Sequence, residues 1–400
     1  MLNVEVWKGV NSLLDNYVEL RDTDTILLAY TPDSYEVVAW VSAAVALRHM
    51  EFRRVPMLPL VDPDFFQRLT TALPPPTQVA GRLIILTFER ETMSHDQDIR
   101  DAIVPYDKDS CVVMRAISSC EELFSSALHA TPNELSALNT ALLQRCIPAE
   151  RLQVKTKMGT DLRIGVDSTR YKWISNRGKW RPGSFVILPA GEVATYPSSI
   201  EGLLVADFAF NVNAITERSS RLKEHPVFVE IRDNRAVKYW CDDLPVKSFL
   251  DECFTKRCAF NVGELGLGTN YKVLTPIELN SHINERRPGV HIGFGQHNQD
   301  LDVPYRCNIH LDLIADGGLL WIDDDPEPID LERVNPSDAP HPTRSRDEDV
   351  FSPRIDELEV DDCCGVVTQR GIELFSEAHS DVEKNKGARE RRSAGIPGLK

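Results

Sequence analysis

Three short, mostly apolar runs limit the folds open to this chain: "TILLAY" (Thr25–Tyr30), "LIILTF" (Leu83–Phe88) and "CVVMRA" (Cys111–Ala116). Each is too short for a buried helix, and none alternates polar and apolar residues as a half-exposed strand would. They read as strands covered on both faces. Helical patterns lie between and around them. "TPDSYEVVAWVSAAVALRHM" has Pro32 and Asp33 suited to a first turn. "FFQRLTTAL" is stopped by Pro74, Pro75 and Pro76, and "NELSALNTALLQRCI" is amphipathic. Strands alternating with helices predict a mostly parallel α/β domain over residues 1–150.

The pattern then changes. "LQVKTKMGTDLRIGV", "SFVILPAGEVATYP", "GLLVADFAF", "PVFVEIRDNRAVKYW", "GVHIGFG" and "NIHLDLI" read as strands separated by Gly, Pro and Asn turns. A β-rich second domain over 151–330 is expected, with a helical insertion at "DLPVKSFLDECFTKRC". From 331 to 400 the composition is acidic and Pro-containing, and a mobile, disordered tail is expected.

Net charge is −16, which argues against nucleic acid or an anionic membrane as the main partner. No secretory start and no membrane-spanning run is visible, and the nine cysteines lack paired metal or redox spacing. Reduced thiols in a cytoplasmic protein are therefore expected. The adjacent Cys363 and Cys364 suggest no role of their own.

Polar residues inside these strands carry the functional signal. In "NIHLDL", His310 and Asp312 stand two residues apart, so they share one strand face, about 6–7 Å apart at Cα. Buried there, they must satisfy each other or converge on a metal, because unpaired polar burial costs several kcal/mol. His291 lies in "PGVHIGFG", Glu192 in "LPAGEVATYP" and Glu264 in "NVGELGLGTN", each beside glycine. Glycine lets backbone or ligand come close. Imidazoles and carboxylates without thiolate suit iron, manganese, zinc or cobalt. Any one of these residues, taken singly, also fits an ordinary structural role.

In order, "GTDLRIGV", "LPAGEVATYP", "GELGLGTN", "VHIGFG" and "HLDL" resemble the aminopeptidase T-like metallopeptidases and their relatives, the dihydroxypyridine ring-opening dioxygenases. The resemblance runs from about Val154 to Asp323; a weaker one covers "SHDQDIRDAIVPYDKDSCVVMR". The peptidase branch implies two metals held by Glu192, Glu264, His291, His310 and Asp312. It also implies a further Glu shortly before the first His, and a Tyr after it. Here "HINERRPGVH" offers Asn284 and Arg286, with Glu285 only loosely placed, and "GFGQHNQD" offers Gln296 and His297.

The dioxygenase branch implies one Fe(II) on His291, His310 and Asp312, with open positions for substrate and oxygen. His95, at the Ser-His helix start, would then be an acid/base, and Glu192 and Glu264 carboxylates facing the ion or substrate. The resemblance also implies a homodimer. The resulting expectation is a mononuclear non-haem Fe(II) oxygenase acting on a small cyclic or aromatic substrate. An aminopeptidase-like hydrolase using Zn, Co or Mn is the alternative. A non-catalytic protein binding a peptide or small molecule is the third reading.

Overall fold

The computed structural model describes residues 3–91, 93–299, 303–342, 365–368 and 371–374. The apolar runs form the parallel sheet that the sequence implies. Its strands, in spatial order, are Phe52–Pro56, Thr25–Tyr30, Leu83–Glu89, Cys111–Ile117 and Phe185–Leu188, all parallel. The helix Tyr35–Leu47 packs Val37, Val38, Val41, Ala44 and Val45 on one face, against Ile26, Leu28, Ile84 and Leu86. Helices Phe65–Ala72 and Asp96–Ile103 cover the other face, through Phe65, Leu69 and Ile99 against Leu27, Ile85 and Val113. The strands Thr25–Tyr30, Leu83–Glu89 and Cys111–Ile117 are buried on both sides, which is why they carry no alternation, whereas the edge strand Phe52–Pro56 is largely exposed.

The last strand of this sheet comes from beyond residue 150. "SFVILPAGEVATYP" reads as one strand but forms two. Phe185–Leu188 joins the parallel sheet, and Glu192–Thr195 enters another. Between them lies a cis Leu188–Pro189 peptide.

Two antiparallel sheets make up most of the remainder. A seven-stranded one contains the hairpin Arg151–Lys155 and Asp161–Gly165 beside Ser199–Ala206. A six-stranded one runs Ala209–Val212, His310–Ile314, Gly289–Gly295, Val262–Gly268, Glu192–Thr195, Ile174–Asn176. They stack face to face as a sandwich. Val193, Leu265, Leu267, Val290, Ile292, Phe294, Leu311 and Leu313 meet Leu152, Val154, Leu162, Ile164, Leu204 and Val229. Each such fully buried aliphatic or aromatic side chain contributes roughly 1.5–3 kcal/mol relative to exposure. Because strand residues alternate, the six-stranded sheet's other face presents the intervening residues, among them Glu192, Glu264, His291, His310 and Asp312 interspersed with glycines.

The thiols are not all reduced, since Cys258 and Cys307 form a disulfide across a Cα–Cα distance of 5.6 Å. Their separation of 49 residues is no recognisable spacing, so only the fold brings them together. The expected tail opens with packed chain. Leu331 is buried, Ser337 bonds Ala137 and Gln144, and His341 Nε2 lies 2.9 Å from Ser175 Oγ. Strands Gly365–Thr368 and Gly371–Leu374 extend the short strand Ala214–Ile215. The remainder of that segment, with Cys363 and Cys364, lies outside the described residues.

Candidate metal centre

Four neighbouring strands bring the sequence's candidates onto one face. Register sets Gly266 opposite His291, Gly293 opposite both Asp312 and Glu264, and Gly268 opposite Glu192. Each polar side chain thus has glycine as a cross-strand neighbour, and this clears the space. A Cβ on Gly266 would lie 1.9 Å from His291 Nε2. One on Gly293 would lie 2.9 Å from Asp312 Oδ1 and 3.0 Å from His310 Cε1.

The resulting cluster is deeply buried. Relative exposure is 3% for Glu192, 7% for Glu264, 1% for His291 and 1% for Asp312. His310 is the most open member, with 22% of its side chain accessible. Ligand atoms of Glu192, Glu264 and His291 lie within 4.8 Å of one another. His291 Nε2 is 2.9 Å from Glu192 Oε1 and 3.9 Å from Glu264 Oε1, and His310 Nε2 is 3.1 Å from Asp312 Oδ2.

These approaches are short, yet they lack hydrogen-bond direction. Both ring nitrogens of His291 and both oxygens of Asp312 are buried without a hydrogen-bond partner. Such orphaned atoms are costly in a folded protein. Heteroatoms that crowd together without sharing hydrogens are what lone pairs aimed at a common cation look like. The donor set fits a divalent ion with nitrogen and oxygen preferences. His310 adds a second sign. Its Nδ1 lies 3.1 Å from the Gln296 carbonyl, which can only accept, so a neutral ring carries its proton there and leaves Nε2 free as a donor of electrons.

Further residues enter that the sequence reading gave no role in the site. Arg286 is 3% exposed; its Nη1 donates to Glu192 Oε2 and lies 3.1 Å from Glu285 Oε2, and its Nε donates to the Pro189 carbonyl at 3.0 Å. Asn211 donates to Glu285 Oε1, and Asn298 to Glu264 Oε2 at 3.0 Å. Asn139, on the capped helix Pro132–Cys146, donates to the Glu192 carbonyl at 2.9 Å and accepts from Thr269. The signal for Arg286 and Glu285 was their place just before His291, but which oxygens they meet depends on distant strands. Asn284 serves structure instead, bonding Ile277 and Ser220.

Burial and mutual charge set the protonation. Burial raises the Glu264 carboxyl. Burial, then Asp312, pushes Glu285 well above the usual carboxylate range. Burial also opposes ionisation of Glu192, but the Arg286 charge prevails and lowers it. For His310, burial works against the proton, yet Asp312 wins and the ring is held up to about 10. Asp312 is correspondingly lowered, the His310 charge outweighing burial.

His95 sits elsewhere. It precedes the helix Asp96–Ile103 with a left-handed backbone, φ 62°, and its ring packs on Phe65 at 4.8 Å. Its Nε2 is 2.7 Å from the Leu58 carbonyl and its Nδ1 3.4 Å from Asp98. Among the described residues its polar partners belong to the first domain, not to the strand-borne cluster. Beside it, fully buried Arg115 joins Glu89 and, at 2.7 Å, Asp96, a network satisfied within itself.

Comparison with known proteins follows the fold. A protein family described as "Crocagin biosynthetic protein CgnE/B" matches residues 198–309. No curated protein matches the chain. Among solved structures, 2,5-dihydroxypyridine dioxygenase from Pseudomonas putida KT2440 is similar with a TM-score of 0.53 and 13% identity, covering 80% of this chain and 93% of that one. Wild-type AmpT from Thermus thermophilus is similar with a TM-score of 0.51 and 13% identity, covering 83% and 99% respectively. The architecture is therefore that of the fold group whose motif order the sequence resembles. Among the described residues no helix is long and apolar enough to cross a membrane.

Proposed function

We propose that this face is a mononuclear metal centre, with His291, His310 and Asp312 as ligands, and that the protein is a non-haem Fe(II) oxygenase acting on a small cyclic substrate. The supporting observation is the four orphaned buried atoms of His291 and Asp312, set among glycines that leave room for an ion. Two imidazoles and one carboxylate suit ferrous iron and leave coordination positions open. When bound, the iron supplies a redox centre for oxygen and a chelation point for substrate.

The chain's own residues do the rest. Gln296 fixes the tautomer of His310. Glu264, its carboxyl raised by burial and one oxygen held by Asn298, stands beside His291 as an acid/base group. Arg286 keeps Glu192 ionised beside His291. Substrate enters from the His310 side, where the cluster is most accessible. We assign no step to His95, whose ring nitrogens face Leu58 and Asp98.

An aminopeptidase-like hydrolase is the second reading, favoured by Glu192 and Glu264 standing within metal reach of His291. A non-catalytic protein binding a peptide or small molecule is the third; the family that matches 198–309 is described as biosynthetic, without a stated activity. Metal content after anaerobic purification separates them. One iron per chain, lost in His310→Ala and Asp312→Ala, with substrate-dependent oxygen uptake, is the expected result. Two zinc ions with peptide hydrolysis would install the hydrolase, and absence of metal from all three proteins would leave the binding role.

A further inference from the structure

Arg286 is the one guanidinium that enters this cluster among the described residues, and it takes a defined share of the carboxylate oxygens. Its Nη1 reaches Glu192 Oε2 and Glu285 Oε2 together, and its Nε is fixed by the Pro189 carbonyl. Asn211 occupies the remaining oxygen of Glu285. Glu285 is thus fully engaged, and Glu192 keeps only Oε1 for the His291 side. Four buried carboxylates meet here (Glu192, Glu264, Glu285 and Asp312), but the orphaned atoms belong to His291 and Asp312, not to the two carboxylates that Arg286 engages.

A guanidinium does not lose its proton in a protein, so this positive charge is permanent. A divalent ion placed between Glu192 and Glu285 would have to displace a buried cation that already has three partners there. Building on the metal-centre reading, we propose that Arg286 stands in for a second metal ion and limits the pocket to one. It balances charge at the Glu192–Glu285 end, while the exchangeable ion binds at the His291–Asp312 end. The arginine is a specificity residue for metal number, and it acts on the ion only through Glu192.

Mn2+ titration with electron paramagnetic resonance tests this on the full chain. Wild type and Arg286→Lys are expected to saturate at one Mn2+ per chain, with the signal of an isolated ion even in excess metal. Arg286→Gln is expected to take up a second ion and to show exchange coupling, since paired metals lie about 3.5–4 Å apart. Two coupled ions in wild type would overturn the proposal, and so would a folded Arg286→Gln that still binds one. If Arg286→Gln unfolds without metal, the proposal requires recovery of its circular dichroism at two equivalents; recovery at one, or none, counts against it. A wild-type chain that binds no Mn2+ fails the metal-centre reading itself and this proposal with it, whereas two ions fail this proposal alone.

Discussion

Replacing Gly266 by alanine is the sharpest test of how the site is built. The added Cβ would stand 1.9 Å from His291 Nε2 and 2.3 Å from Cε1. Carbon contacts are comfortable only at about 3.5 Å or more, so the ring must recede by roughly 1.5 Å. Metal–ligand distances tolerate only about 0.2 Å of deviation. The displacement is several times that, and His291 cannot keep a place in the coordination shell. Overpacking of this kind costs about 1–3 kcal/mol.

Gly266→Ala is therefore expected to lower the thermal midpoint by several degrees and to weaken metal binding at least ~100-fold, about 2.7 kcal/mol. Calorimetric titration measures the second effect and scanning calorimetry the first. A double-mutant cycle isolates the cause. In a His291→Ala background the clash is gone, and Gly266→Ala should then cost little. Metal affinity within threefold of wild type in Gly266→Ala alone would refute the reasoning, because the ring would not be where the geometry puts it.

Two further outcomes concern the frame around the site. The Cys258–Cys307 disulfide closes a loop of 49 residues, for which chain entropy gives roughly 4 kcal/mol of stabilisation; a Cys258→Ser, Cys307→Ser chain should lose most of that in a denaturant titration, and an unchanged midpoint would refute it. His341 is held neutral to about 3, mainly by burial and then by the Arg177 charge, whereas an unfolded histidine titrates near 6.5. The unfolded chain binds the extra proton, so this contribution is complete above about pH 6.5 and is lost as pH falls toward 3. His341→Gln should flatten the acid limb of a stability–pH curve relative to wild type, and an identical limb in the two proteins would exclude the assignment.

What the sequence discloses depends on the range of the interaction. Runs such as "LIILTF" announce doubly covered strands because burial on both faces leaves a local mark. "NIHLDL" likewise predicts that His310 and Asp312 share a face, since period two is a property of one strand. Distant pairing leaves no such mark. "GLLVADFAF" reads as one strand, yet Ser199–Ala206 and Ala209–Val212 go to different sheets, with Asp207 and Phe208 between them. Arg286 is one position from Glu285 in sequence, but its contact with Glu192 spans 94 residues. The disulfide is hidden for the same reason. The parts of the site set by one strand's alternation were legible, and those set by strands meeting across the sheet were not.

The strand Phe185–Leu188 has a consequence for the order of events during synthesis. It pairs in parallel with Cys111–Ile117 and closes that side of the first sheet. Until residue 188 has left the ribosome, the apolar Cys111–Ile117 strand is an open edge, the kind that pairs with any strand it meets. By then the Arg151–Lys155 and Asp161–Gly165 hairpin of the second sheet has already emerged. The first domain therefore finishes folding only after the second has begun, and a fragment ending at residue 150 is an aggregation hazard. The same connection delivers Glu192 four residues later, so completing the parallel sheet also anchors the first acidic residue of the Glu192–His291–Asp312 face.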